Sequence, residues 1–470
     1  MNTPLWADFG KLALPNLGRY KTLAGVLGGF LLALATASGQ SDYALPYNFV
    51  TIAGTAGNFM GAELDGTNGA AVFDIPQDVA VGQDGSLYVV DSDGSTVRKI
   101  TPRGTNWIVS TIAGSSQSGS ADGTNGNAEF DEPYGIAIDQ SGRLYVADNN
   151  NNTIRQITPV GTNWVVTTIA GTAGVSNSND GTNGVASFSN PSGIAVDAAG
   201  NLYVADTANS VIRRIAPVGT NWVVTTIAGT PYFNFGFPQN VDGTNGDAMF
   251  ARPGGIAVDS ATNIFVADTL DKTIRKIKPV GTNWVVTTIA GSPESGNNGS
   301  SYNDGTNQDA QFFGPEGIAV DTNDNLYVAD TQDVAIRKIS PAGTNWVTTT
   351  LAGSAGVAGT TDGTGTNALF RGPTGIAVDS SGHVFVSDAD PQADTLHEGS
   401  VAPLPSLSMS LSGTNILVSW PTSGAFNLQT NSDLTTANWG NYSGPVNTTN
   451  AVSSLTVSPS PATLFFRLAN

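Results

Sequence analysis

Six aspartates, Asp91, Asp148, Asp206, Asp268, Asp330 and Asp388, each follow a proline by 15 residues. A ring of carboxylates can hold a cation or supply a general base. In five of the six copies, however, an arginine stands seven residues further on: Arg98, Arg155, Arg213, Arg275 and Arg337. A catalytic group is needed once, whereas an Asp/Arg pair in every copy is what a charge-assisted structural contact looks like. These five pairs are therefore expected to be structural, with each aspartate capping the turn after it. Asp388 has no such arginine and stays a candidate for ligand binding. A second polar set lies in DGTN-type turns that begin at Asp65, Asp122, Asp180, Asp242, Asp304 and Asp362. Carboxylate and amide oxygens suit Ca²⁺, and Asp242, Asn245 and Asp247 form the densest group, with an echo at Asp321, Asn323 and Asn325. Neither completes the acidic loop pattern of a dedicated calcium site, and turn formation explains the same residues. The two histidines, His383 and His397, cannot build a three-histidine zinc site. His397 is read as a surface residue. With no cysteine in 470 residues, disulfides and thiolate metal sites are excluded.

The elements that must position these residues repeat with them. The prolines, Pro76, Pro133, Pro191, Pro253, Pro315 and Pro373, open six copies of a unit typified by PSGIAVDAAGNLYVADTANSVIRRI. In five copies a tryptophan follows the arginine by nine residues, and only the stretch from that tryptophan to the next proline varies, from 26 to 31 residues. GIAVD, NLYVAD, VIRRI and WVVTTIAG read as four short strands separated by Asp, Gly and Asn turns. One twisted sheet of about 60 residues cannot cover both of its apolar faces. Six in a ring can, which predicts an all-β, six-bladed β-propeller. The sixth copy has a degraded third strand near Thr395–Glu398 and no WVVTTIAG. FVTIAG, residues 49–54, stands at the other end of the chain and is expected to complete that blade, burying Val50 and Ile52.

The motif F-x-x-P-x-G-I-A-V-D-x-x-G-N-L-Y-V-A-D-T-x-N-x-x-I-R-K-I, clearest at Phe188–Ile215 and Phe312–Ile339, resembles NHL repeats over roughly residues 49–400. The resemblance implies a six-bladed propeller. It leaves function open, because that family holds scaffolds, protein- and RNA-binding modules and a few lyases, with gluconolactonase-type hydrolases more distant. A gluconolactonase-like site needs about four converging acidic or amide ligands. Glutamate is scarce in the repeats: Glu63, Glu129, Glu132, Glu294 and Glu316.

The chain ends differ from the repeats. Lys11, Arg19 and Lys21 precede the uncharged run Thr22–Ala37, which closes on Ala35-Thr36-Ala37; residues 1–37 read as a secretory signal peptide, with an uncleaved anchor as the alternative. Nothing else is apolar over a membrane-spanning length, so no membrane span is expected in the mature chain. Setting aside Lys11, Arg19, Lys21 and Asp8 leaves 16 basic and 37 acidic residues, which disfavours nucleic acid as a partner. Residues 406–470 show alternating runs (SLSMSLSG, ILVSWP, FNLQT, TLFFRL) that suit a small all-β, sandwich-like module and weakly resemble fibronectin-type or Ig-like modules. The loops before the DGTN turns differ most; Tyr232, Phe233 and Phe235 make one of them aromatic, and these three are candidate ligand contacts. A rigid scaffold with variable loops on one rim suggests an extracytoplasmic binding or scaffold module for a protein or glycan. The alternative is an extracytoplasmic metal-dependent hydrolase or lyase with a Ca²⁺-type site.

Overall fold

A computed structural model describes residues 46–57, 63–231, 240–293 and 303–402, together with the strands and a few linking residues between 408 and 469. Residues 46–402 form one compact unit of six five-stranded antiparallel sheets. The third repeat shows the plan. Pro191–Val196 is innermost, followed outward by Leu202–Asp206, Val211–Val218 and Asn221–Ala228, with the two-residue strand Gly181–Thr182 at the outer edge. The fifth strand is the Gly-Thr of the DGTN turn, which pairs with the outer strand at Val223 and Val224. The innermost strands neighbour one another in sequence order, and the sixth meets the first, so the sheets close into a ring. This is a six-bladed propeller.

Closure is made by the first strand, Tyr47–Ala53, which lies between Thr395–Val401 and Gly363–Thr364 in the last blade. Ala402 N–H donates to the Pro46 carbonyl at 2.8 Å, clasping the two ends of the unit. Ile52 is buried, but Val50 is 37% exposed, contrary to expectation; Tyr47 and Phe49 are buried instead. The reason is register. The strand carries an irregularity between Thr51 and Ala53, so the inward set is Tyr47, Phe49, Ile52 and Ala53. Phe49 lies opposite Gly399, which offers no side chain to the ring's place, and it meets Phe370 edge to face at 5.5 Å.

The blades are glued by apolar clusters that each draw on two neighbours, such as Tyr145, Ala147 and Ile154 with Ile194, Leu202 and Val204. Each interface adds an edge-on aromatic pair, Tyr88–Trp164, Tyr145–Trp222, Tyr203–Trp284, Phe265–Trp346 and Phe385–Trp107. Tyr47 and Tyr327 make a tilted pair at the sixth. Such pairs add roughly 0.5–1.5 kcal/mol beyond area burial.

The C-terminal unit has two antiparallel sheets. One runs Ser408–Ser412, Asn415–Pro421, Val452–Val457, Asn447–Thr449, and the other Gly440–Asn441, Asn427–Asn431, Phe465–Ala469. Val418, Trp420 and Leu455 of the first share a small core with Leu428 of the second, the arrangement of a small sandwich. No helix among the described residues is long and apolar enough to cross a membrane. The proposed leader, residues 1–37, lies outside the described residues.

Candidate functional site

The repeated polar residues form one network per blade. In the third repeat the Arg213 guanidinium donates to Asp206 (2.7 Å), Asp180 (3.0 Å) and the carbonyls of Ser187 and Asn179 (both 2.9 Å). It lies over the ring of Phe188, 5.1 Å from the centroid. The other carboxylate oxygen of Asp206 accepts from Ser189 N–H at 2.7 Å. The same pairs are Asp91–Arg98 (2.9 Å), Asp148–Arg155 (2.6 Å), Asp268–Arg275 (2.9 Å) and Asp330–Arg337 (3.3 Å). All five arginines and their aspartates are fully buried. Burial raises the Asp206 carboxyl above its ordinary range, against the opposing pull of Arg213 and the amide donors. A buried ion pair balances desolvation against such bonds, and removing one partner is what costs most. These residues fasten the loop that enters each blade to the blade itself; the arginine and its Asp206-type partner are buried, while the Asp180-type carboxylate stays half exposed.

The sixth blade solves the same problem with a different residue. His397 occupies the arginine's station, 2% exposed and not on the surface. Its ring meets Phe370 edge-on at 5.2 Å, and its nitrogens face Thr395 Oγ1 at 3.0 Å and Thr51 Oγ1 at 3.4 Å. Burial pushes its pKa down to about 4. Asp388, the candidate for ligand binding, is fully buried beside it. Its carboxylate accepts from the N–H groups of Arg371 and Gly372, so it caps a turn and is not presented to a ligand. Burial raises its pKa to about 6.

The DGTN residues considered for Ca²⁺ are likewise engaged. Asp242 accepts from Arg275 at 3.0 Å and from the hydroxyl and N–H of Thr288 at 2.9 and 3.0 Å. Asn245 accepts from Trp284 N–H at 2.7 Å and donates to Asn283 at 3.1 Å. Asp247 is exposed. Asp321 closes its own hairpin through Asn323 and Asn325. Among the described residues no group of three or more His, Cys, Asp or Glu side chains is gathered to hold a metal ion. Tyr232, Phe233 and Phe235 lie outside the described residues.

A different constellation lies at the centre of the ring. The inner strands begin, the second strands end and the outer strands end on one face of the propeller, as the pairings of Pro191 with Asp206, Asp206 with Val211 and Ile212 with Ala228 show. The variable loops therefore share this face. At its centre the inner strands leave a cavity of about 80 Å³. The residue after the proline lines it in five blades: Gln77, Tyr134, Gly254, Glu316 and Thr374. Next comes glycine in five blades, because neighbouring inner strands touch there. A Cβ on Gly317, for example, would come within 2.1 Å of the Thr374 carbonyl oxygen. In the first blade this residue is Asp78. Its carboxylate accepts from Val79 N–H at 2.9 Å and, across the blade boundary, from Ile136 N–H at 3.0 Å.

Tyr134 of the second blade reaches across the channel to the fifth, where its hydroxyl donates to Glu316 at 3.3 Å. Burial raises the pKa of Asp78 to about 7 despite its two amide donors. Burial also raises Glu316, against Tyr134 and the nearby Arg252 charge. Tyr134 is pushed well up by burial and then by Glu316. Four residues preceding the inner-strand prolines, Ile75, Glu132, Asn190 and Arg252, hold left-handed backbone with φ of 47–62°. That conformation is strained for non-glycine residues, above all for a β-branched isoleucine, and such strain gathers at functional sites. The sequence signal for this mouth is the departure of Pro76-Gln77-Asp78 from the Pro-x-Gly of the other copies.

Comparison with known proteins supports the architecture. The NHL repeat model matches residues 130–157, 188–214 and 370–392, and the teneurin NHL domain model matches residues 236–340. Protein SUPPRESSOR OF QUENCHING 1, chloroplastic, of Arabidopsis thaliana is 29% identical over 284 residues, 58% of this chain and 26% of that protein. NHL repeat-containing protein 2 of Bos taurus is 29% identical over 306 residues, 58% of this chain and 40% of that protein. The chain thus spans well under half the length of these curated relatives. An auxiliary nutrient binding protein of Bacteroides ovatus has a similar fold, with a TM-score of 0.55 at 17% identity over 77% of this chain and 78% of that one.

Proposed function

The chain belongs to the NHL-repeat β-propellers, and on that premise we propose that it is an extracytoplasmic binding module that takes a protein or glycan ligand on the face carrying its variable loops. One observation carries this reading. Five of the six blades spend their repeated polar residues on the same buried fastening, while residues that differ from blade to blade converge at the channel mouth on that face. A rigid frame with variation concentrated at one place is how binding sites are presented. The basic start, apolar run and Ala-Thr-Ala pattern of residues 1–37 support export. The acidic balance argues against a phosphate backbone as partner.

The test is capture by the immobilised full chain from a panel of glycans and of extracellular proteins. Retention of a ligand that weakens at least tenfold with Glu316→Gln, while the Tm is unchanged, supports the reading. A ligand that binds with equal affinity to this variant places the contact elsewhere. Absence of any specific capture overturns the binding role in favour of a purely structural one.

A further inference from the structure

We infer that the channel mouth is a receptor for a primary ammonium group, supplied by a lysine side chain or another alkylamine end of the ligand. This rests on the binding role proposed above and narrows it to amine-bearing ligands. Three features point this way. Two carboxylates, Asp78 and Glu316, open into one small cavity, and neither has an ion pair among the described residues. Arg252, exposed near the entrance, influences Glu316 only at longer range. Gln77 lines the same cavity, is 8% exposed and has no side-chain hydrogen bond among the described residues. Its amide opens to the cavity and is free to meet an entering group. Tyr134 supplies an aromatic ring and a hydroxyl already committed to Glu316.

The donor count fits. An ammonium group has three N–H donors and no acceptor. Asp78, Glu316 and the Gln77 carbonyl oxygen offer three acceptors, and Tyr134 adds a π face that attracts cations. The hydroxyls at the equivalent stations are turned into the ring wall: Ser192 bonds Thr207 and the Gly254 carbonyl, and Thr374 faces Ser387. Gly254, diametrically opposite Gln77, leaves the space open. The cavity, of about 80 Å³, admits the end of an alkylammonium chain. Among the described residues no three carboxylate or imidazole side chains gather there to hold a metal ion. Burial disfavours both carboxylates in their charged forms, and an entering cation relieves that penalty.

The experiment is calorimetric titration of the full chain with n-butylammonium chloride, with n-butanol, calcium chloride and glucose as parallel probes at matched ionic strength. Saturable binding of n-butylammonium alone is expected. Its affinity falls at least tenfold in Glu316→Gln and in Asp78→Asn, with Glu316→Gln retaining the wild-type Tm. No saturable binding of the amine, equal binding by Glu316→Gln, or tighter binding of calcium would each overturn the inference. The two readings fail separately. A captured partner whose binding survives acetylation of its amines removes the ammonium receptor and leaves the binding module. Amine binding without any captured partner does the reverse.

Discussion

Asp333→Asn should stabilise the propeller at neutral pH and remove part of its pH dependence. The second and third blades carry an asparagine three residues after the network aspartate. Asn209 donates to Asp206 at 2.9 Å and to the Asn177 carbonyl at 2.8 Å, and Asn151 does the same for Asp148 and Gly119. In the fifth blade that station is Asp333, fully buried, with neither carboxylate oxygen hydrogen-bonded among the described residues. The swap removes two donors and adds a charge beside Asp330. Burial, and then Asp330, raise the Asp333 pKa from 3.8 to about 6, while Arg337 and Lys272 pull the other way. A carboxyl raised on folding contributes its full stability below the unfolded pKa and loses it as pH rises through the folded one. The window is therefore about pH 4–6, and the charged form costs about 3 kcal/mol above it, at 1.36 kcal/mol per unit. The variant should match wild type near pH 4 and exceed it by about 3 kcal/mol at pH 8, or roughly 5 °C in Tm for a unit of this size. Thermal and urea melts of both proteins from pH 4 to pH 8 read the difference directly. A wild-type advantage at pH 8, or a gap that does not change with pH, would refute the idea that the buried Asp333 charge is what costs stability.

Three further outcomes follow from the same geometry. Phe49→Ala, which empties the seat opposite Gly399, should cost about 3–5 kcal/mol in urea unfolding. Val50→Ser, one residue on but exposed, should stay within about 0.5 kcal/mol. Arg213→Lys keeps the charge but not the fork that reaches Asp206, Asp180 and two carbonyls, and should cost about 3–5 kcal/mol in the same assay. His397, held near pKa 4 by burial, contributes stability that is whole above its ordinary 6.5 and is lost as pH falls toward 4. His397→Gln should therefore narrow the stability difference between pH 7 and pH 4.

Much of the fold is legible because the unit repeats. Apolar alternation, the turns and the fixed Pro-to-Trp length dictate a blade, and the orphan strand at residues 49–54 announces closure. Val50 misleads because alternation alone does not reveal the register shift near Thr51. Aligning the strand with WVVTTIAG sets Val50 against Thr225, which is exposed, and Phe49 against Val224, which is buried. His397 misleads because a histidine is judged by type and not by station; its place in the repeat is the arginine's. The partners of Arg213 beyond Asp206 are hidden for another reason. Asp180 lies 33 residues before it, and the two meet only when Gly181 and Thr182 pair with the outer strand.

The channel mouth escapes a reading that looks for what the copies share. Internal repetition acts as a control, since six stations face the same geometric demand and each departure needs a reason. Where the reason is local, the surroundings adjust: Thr51, Thr395 and Phe370 close around His397. The departures at Gln77, Asp78, Tyr134 and Glu316 have only a partial local answer, in the two N–H groups on Asp78 and the Tyr134–Glu316 bond. They lie in three different blades, one of them carries a side chain where the inner strands otherwise require glycine, and all four open into a single cavity on the face that holds the variable loops. Structural economy would place another Pro-x-Gly in the first blade. Its absence there, in a cavity that Glu316 of the fifth blade also lines, is the departure on which the proposed binding site rests.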